Sequence, residues 1–350
     1  MFSRWLQLFS FLLSALFLRA EDAPPTIKFS LPPPKPVAVE PEAPPTEPAS
    51  PVVEPAPTPE AAPRAPRTVE TILELQVELH RRGFSCGSID GTLGAQTVSA
   101  LRAFQRTAEV RDSGALDDAT RAVLPLTAPA LKEHVFSAEE LAGLQPVPDT
   151  WLGKSEKTTL GYTSALELAA ERFRANPKLL QQLNPDVDWA DVLPGVRIQV
   201  PAVERVTIPK KAARILIWLE ARELEVFDDA GAMLAHFPVS IARAVEKRPV
   251  GEMHVKVVVR DPNYTFDRAV FPESAEAKEL DRKLILPPGP NNPVGVAWIG
   301  LDLPGYGIHG TPEPEKVGRT ESHGCFRLAN WDALTLLGLV RVGLPVVVAP

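Results

Sequence analysis

The sequence predicts a multidomain chain: a small three-helix domain, then a small α+β module, then a mainly-β domain of sandwich or barrel type with one helix near its end. Three observations predict it. The 38 prolines in 350 residues do not fit one compact domain and demand a linker. Apolar residues recur at helical spacing through much of residues 69–183. From residue 213 onward they alternate in short runs separated by turn residues. A hydrophobic content of 45% supports real cores, and a net charge of −7 argues against nucleic acid as the main partner.

Residues 1–20 read as an export signal. Arg4 supplies positive charge, and the apolar run from Leu6 to Leu18 is short for a membrane span but suits a signal core. Ala20 is small, but Leu18 stands where a small residue is preferred, so an uncleaved anchor stays open beside a cleaved signal. No cysteine follows, which excludes lipoprotein processing. Residues 21–67 are dominated by Pro, Ala, Glu and Val and are expected to be a disordered, extended linker. About 45 such residues reach on the order of 140 Å.

Residues 69–125 form the first folded unit. Leu73, Gln76, Val77 and His80, with Leu75 and Leu79, take helical spacing, and Gly83 ends that helix. Asp90-Gly91 is a tight turn, a second helix runs from about Ala95 to Arg106, and Asp117 caps a third. Residues 126–161 are a connector in which Ser137-Ala-Glu-Glu140 is a capping box and Trp151 a packing anchor. In residues 162–203, Ser164 caps one helix, Asn176-Pro177 starts another, and Leu193-Pro-Gly195 turns into Ile198-Gln-Val200. Residues 213–350 carry the β signals: 214–219, 223–227, 233–241, 251–259, 296–299, 307–309 and 344–348, with one helix over about 329–340 whose Leu334, Leu336, Leu337 and Val340 cover a sheet. His236 and His254 fall in strands and read as structural. Residues 263–284 are a long charged excursion of the kind that forms a lid or substrate wall.

The chemistry concentrates between Ile308 and Asn330. Ile308-His-Gly-Thr-Pro312 is followed by Arg319-Thr-Glu-Ser-His-Gly-Cys-Phe-Arg-Leu-Ala-Asn330, which holds one of the two cysteines. A thiol is a strong nucleophile only as thiolate, and a nearby imidazole can take its proton. Cys325 lies two residues after His323, so on an extended segment their side chains share a face. His309 reaches the same place from a neighbouring strand. Gly324 lets backbone approach a substrate, and Arg327 can grip a carboxylate bidentately. A buried structural thiol and a zinc site of His309, His323 and Cys325 are the competing readings, though His-x-Cys is not a usual ligand spacing.

The combination His-Gly-Thr with Ser-His-Gly-Cys-x-Arg resembles the active-site signature of L,D-transpeptidases, cysteine enzymes that cross-link bacterial peptidoglycan. The resemblance extends through Leu286-Pro-Pro-Gly-Pro-Asn-Asn-Pro-Val-Gly295, Gly305-Tyr-Gly-Ile-His309 and Val342-Gly-Leu-Pro-Val-Val-Val348. It implies Cys325 as nucleophile and His309 as general base, held by the carbonyl of Gly310, with His323 as a second imidazole lining the site. It further implies the N–H groups of Gly324 and Cys325 as oxyanion donors, and Ser322, Arg327, Thr311 and Asn330 on the substrate side. No metal or organic cofactor is implied. Residues 69–125, with Leu75-Gln76, Gly83-Phe84, Ile89-Asp90-Gly91 and Phe104-Gln105, look like a three-helix peptidoglycan-binding domain. Asn176-Pro-x-Leu-Leu-x-x-Leu-Asn-Pro185 and the Pro-Gly turn after it look like a degenerate LysM glycan-binding module. The implied partners are peptidoglycan stem peptides and glycan, with a wall-attached lipoprotein as a further acceptor and membrane contact only through an uncleaved N-terminus. The implied location is the periplasm or cell envelope. An L,D-carboxypeptidase with the same site and a non-catalytic wall-binding protein stay open as alternatives. The two cysteines are expected not to pair, because a Cys86–Cys325 disulfide would block the nucleophile, and Cys86 is expected to be partly buried.

Overall fold

The computed structural model describes residues 66–203, 205–268, 275–319 and 324–350. The N-terminal segment and the linker as far as residue 65 lie outside the described residues, as do Ser322 and His323; Arg67, read as the linker's last residue, is already in a strand. No described helix is long and apolar enough to cross a membrane.

Three helices build the first unit: α1 (Ile72–Arg81), α2 (Ala95–Thr107) and α3 (Asp118–Val123), tied off by the strand pair β1 (Arg67–Thr68) and β2 (Pro125–Leu126). Local chemistry sets their ends. Thr71 and Glu74 form a capping box on α1, and Asp117 accepts the Thr120 N–H at 2.9 Å to open α3. Leu75, Leu79, Leu101 and Phe104 fill the core between them.

The next unit pairs β3 (Leu131–Val135) with β4 (Arg197–Pro201), antiparallel, around α4 (Ala138–Ala142), α5 (Trp151–Ser155), α6 (Ala165–Arg172) and α7 (Pro177–Leu183). Thus the stretch read as connector supplies a strand to the module's own sheet. The sequence Leu-Lys-Glu-His-Val hides this, since three of its five residues are charged or polar.

The C-terminal unit is organised by an eight-stranded mixed sheet. Its strands are β5 (Arg214–Trp218), β6 (Glu223–Phe227), β7 (Met233–Pro238) and β8 (Gly251–Arg260). The hairpin β9 (Tyr264–Phe266) and β10 (Leu284–Leu286) stands apart, with α8 (Ala275–Glu279) between its arms. Then follow β11 (Ala297–Leu301), β12 (Gly307–His309), β13 (Phe326–Arg327), α9 (Asn330–Leu339) and β14 (Pro345–Ala349). The sheet order is β13-β12-β11-β8-β14-β5-β6-β7. Its two edges meet: Ser240, two residues past β7, exchanges backbone hydrogen bonds with Arg327 of β13 at 3.0 and 2.9 Å. The sheet therefore curls toward a barrel, consistent with the predicted class. Ala333, Leu336, Leu339 and Val340 of α9 pack into the core with Ile215, Ile299 and Val346. Leu334, expected on that face, instead lines a cavity toward the middle unit. The 263–284 excursion contains β9, β10 and α8, none of which the sequence pattern announces.

The first unit covers the open part of the sheet edge. Ser85 N–H donates to the His236 carbonyl at 2.8 Å, and His236 N–H donates to Gly83 at 3.0 Å, so Phe84 adds beside β7. The middle unit joins through Ile89, whose backbone bonds to Arg174 and Asn176 at 2.7 and 2.8 Å. All three units meet near Asp332 on α9, which accepts the Ser85 hydroxyl at 2.8 Å. Burial pushes the Asp332 carboxyl up to about 7, against the opposing pull of Arg174 and Ser85.

Candidate active site

β12 and β13 run parallel, with Ile308 opposite Phe326 and His309 opposite Arg327. That register brings Cys325, the residue before β13, alongside Gly307 at the start of β12. The sheet therefore converts an eighteen-residue separation in sequence into adjacency on neighbouring strands. Leu328 N–H closes the other end on the His309 carbonyl at 2.8 Å.

His309 is 4% exposed. Its Nδ1 lies 2.6 Å from the Gly310 carbonyl, which fixes Nδ1–H as the donor and leaves Nε2 as the acceptor. Trp298 of β11 stacks on the imidazole at 5.6 Å and 23°. Burial first, and the Arg327 charge second, pull the ring down to about 3. His309 is a neutral base at neutral pH.

Cys325 is partly exposed and in no disulfide. Its Sγ–H points at the Gly305 carbonyl, 3.5 Å away. Burial pushes the thiol up to about 11, while a hydrogen bond from the Gly307 backbone and the Arg327 charge pull it back. It packs against an apolar cluster that includes Tyr264, Phe266 and Trp298. Burial raises the Tyr264 phenol, and an ionised Cys325 nearby would add to the shift. Gly324 sits beside Tyr306, where an added Cβ would meet the ring at 3.9 Å. The Arg327 Nε is buried with no hydrogen-bond partner among the described residues.

The remaining residues read as site candidates divide. Ser322 and His323, the latter also the third ligand of the zinc alternative, lie outside the described residues. Among the described residues no group of three or more His, Cys, Asp or Glu side chains could hold a metal ion. Thr311 is buried, and its hydroxyl accepts the Glu313 N–H at 3.3 Å. Asn330 is 1% exposed. Its amide accepts from Val296 N–H at 3.2 Å and donates to the Pro290 carbonyl at 3.1 Å. A Cβ on Gly295 or Gly310 would collide with that same amide oxygen. Asn330 thus holds the His309-Gly310 turn from behind, which explains why glycine must follow the histidine. Sequence reasoning missed Trp298 and Tyr264, whose only signal was aromatic character in short apolar runs.

The geometry is that of a thiol and a neutral imidazole on adjacent strands, with a cation two residues away. Residues 212–348 match the family model of the L,D-transpeptidase catalytic domain, and residues 68–124 match a peptidoglycan binding domain. The YkuD protein of Bacillus licheniformis, assigned by name to the L,D-transpeptidases, is 29% identical over 53% of this chain and 93% of its own length. Its Bacillus subtilis namesake is 26% identical over 51% of this chain and 89% of its own. L,D-transpeptidase 3 from Mycobacterium tuberculosis superposes with a TM-score of 0.32 at 18% identity, over 46% of this chain and 77% of that one. The model of the L,D-transpeptidase catalytic domain thus covers residues 212–348, and that of a peptidoglycan-binding domain precedes it in the same chain.

Proposed function

We propose that this chain is a peptidoglycan L,D-transpeptidase with Cys325 as nucleophile and His309 as base. The observation that carries the reading is the placement of Cys325 beside the start of β12, the strand that ends in His309, whose tautomer is set by Gly310. With the thiol held up to about 11 and the imidazole down to about 3, the resting pair is thiol and neutral imidazole, not an ion pair. Proton transfer must then accompany attack rather than precede it.

In this mechanism Cys325 Sγ attacks the stem-peptide carbonyl on the C-terminal side of the diamino acid while His309 Nε2 takes the thiol proton. The C–N bond to the terminal D-alanine breaks, and its nitrogen receives that proton from His309. A thioester remains. The amine of a second stem attacks it, its proton passes to His309, the new amide forms and Sγ leaves to recover the proton. The N–H groups of Gly324 and Cys325 serve as oxyanion donors, and Arg327 and Ser322 orient the stem. His323 lines the site. What supports the Arg327 role is its buried Nε without a partner among the described residues. No metal or organic cofactor enters this scheme.

The reading extends to the rest of the chain. The peptidoglycan-binding domain holds the enzyme on its polymer, and the LysM-like unit packs against both it and the catalytic domain. The site works in the cell envelope, and in the periplasm if residues 1–20 act as an export signal. The acceptor is a stem-peptide amine or a wall-attached lipoprotein.

The test incubates the chain from residue 66 onward with tetrapeptide muropeptides and reads products by mass spectrometry, beside Cys325→Ala. Cross-linked dimers that have lost one D-alanine, absent with the variant, are the expected result. Tripeptide alone would make the enzyme a carboxypeptidase using water as acceptor. No conversion, with binding to sacculi retained, would leave a wall-binding protein.

A further inference from the structure

Residues 147–161 belong to neither family-matched region, which end at 124 and begin at 212. They nevertheless complete the apolar cluster against which Cys325 packs: Val147, Trp151 and Leu160 join Tyr264, Phe266 and Trp298 there. We infer that Trp151 is a positioning residue for the transferase reaction, holding the β9–β10 hairpin so that Tyr264 keeps its place beside Cys325. The inference rests on the functional reading above for its activity arm only.

The attachment is specific at both ends. At one end the Trp151 indole lies nearly parallel to the Phe266 ring, 4.4 Å away at 19°, and 6.3 Å from Tyr264 at 30°. The backbone N–H groups of Trp151 and Leu152, otherwise unmatched in the first turn of α5, both donate to the Glu276 carboxylate of α8 at 2.7 Å. Thr150 caps the same turn through Gly153 at 3.0 Å. At the other end Leu160, fully buried, bonds through its backbone to the Pro288 carbonyl at 2.9 Å and to the Asn291 N–H at 3.0 Å. Gly289, at φ +142, passes so close to the Leu160 carbonyl that any side chain there would collide with it. That loop runs on to Asn292, Val294 and Gly295, the last held against the Asn330 amide behind His309. One segment therefore ties down both the hairpin over the nucleophile and the loop behind the base.

A clamp of this kind has an opposite effect on two readouts, and simple packing does not. Loosening the hairpin admits water to Cys325, which relieves the burial that suppresses its ionisation, so small reagents reach a more reactive thiol. The same loosening misaligns the thiol for a stem peptide. Trp151→Ala should therefore speed alkylation of Cys325 by iodoacetamide about threefold or more and move its pH profile to lower pH. It should slow transpeptidation of tetrapeptide muropeptides about 10- to 100-fold, mainly in kcat. Trp151→Phe should restore both, and Glu276→Gln should show the same pair of changes at smaller size.

The Cys325 adduct is quantified on its own peptide, so Cys86 does not contribute. If alkylation and transpeptidation both stay at wild-type values in a Trp151→Ala protein of normal melting temperature, the inference is wrong. If both fall together with the melting temperature, and Trp151→Phe does not separate them, Trp151 merely supports the fold and the inference is again wrong. Should wild type itself make no cross-links, the functional reading fails, while the alkylation comparison still decides the clamp.

Discussion

The molecule contains two cysteine–histidine neighbourhoods built from the same parts, and only one of them lies in the region that matches the catalytic-domain model. In the first unit His80 is fully buried, its Nε2–H donates to the Gly87 carbonyl at 2.9 Å, and Arg174 lies 3.4 Å from its Nδ1. In the catalytic unit His309 is buried, its Nδ1–H donates to the Gly310 carbonyl at 2.6 Å, and the Arg327 charge acts on it. Both imidazoles are pulled down to about 3, chiefly by burial, with arginine adding to it. Each has a thiol in the same unit. The difference lies in field and access. Cys86 is 3% exposed, and burial with the charges of Asp332 and Asp90 drives its thiol up, beyond use as a nucleophile. Cys325 is partly exposed, and the Gly307 backbone and Arg327 work against its burial. His80 spends both ring nitrogens on the protein, whereas the Nδ1 contact of His309 leaves Nε2 for chemistry. Residue types in proximity do not make a site; the sign of the surrounding charge and a path to solvent do.

The largest effect that tests the contrast is loss of each sulfur. Cys325→Ala should abolish transpeptidation by at least about a thousandfold, since no other group can form the thioester. Cys86→Ala should leave turnover unchanged and cost about 1 kcal/mol of stability from the small cavity it opens. Steady-state kinetics and urea unfolding on both variants read this directly. A large activity loss in Cys86→Ala would mean that the two thiols are not the separate cases described. In wild type, alkylation of Cys325 should accelerate with pH up to about 11, where the thiol ionises, while native Cys86 stays unmodified.

Next come the bases. His309→Gln should lower kcat about 10²- to 10⁴-fold by removing the proton acceptor. His80→Gln should leave kcat unaltered and cost about 1–3 kcal/mol, because the Gly87 carbonyl loses its buried donor. Equal kinetic losses in the two would show that His80 acts through the fold on the reaction centre, and the separation would fail.

Much of this was legible in the residues. The motif around Cys325 and His309 stands out because thiol, imidazole and glycine sit in two short runs that adjacent strands bring together, and the alternation in 214–227 announces the β5–β6 hairpin of the sheet. The Ser137/Glu140 capping pair marks its helix at the backbone level, where side chain and partner are three residues apart, while the equivalent Thr71/Glu74 pair went unread. What stayed hidden is long-range or backbone-borne. Phe84 extends the sheet edge through main-chain bonds that no side chain betrays. β3 is too polar to read as a strand, and β9 and β10 are each three residues long across a charged insertion. The resemblance places Asn330 on the substrate side; that its amide also fills the space left by Gly295 and Gly310 becomes visible only when the two loops are brought together. Trp151 was expected to be an anchor, but what it anchors lies more than a hundred residues away in the chain.

The smallest effect probes whether the two histidines are electrostatically alike. Each has a folded-state value near 3 against an ordinary 6.5, so between those limits the unfolded chain binds protons that the folded chain refuses. The stability attached to this refusal is fully present above about 6.5 and is lost as pH falls toward 3. Removing either ring should therefore flatten the acid side of the melting-temperature profile while leaving the shape above pH 7 unchanged. If His80→Gln and His309→Gln flatten it by the same amount, burial and arginine treat the two rings alike, and the catalytic difference resides in the open Nε2 and the thiol it meets. If only His80→Gln flattens it, His309 already carries a higher affinity for protons in the folded state. The active site would then hold a partly preformed thiolate–imidazolium pair, and the alkylation rate of Cys325 would level off below pH 11 instead of climbing to it.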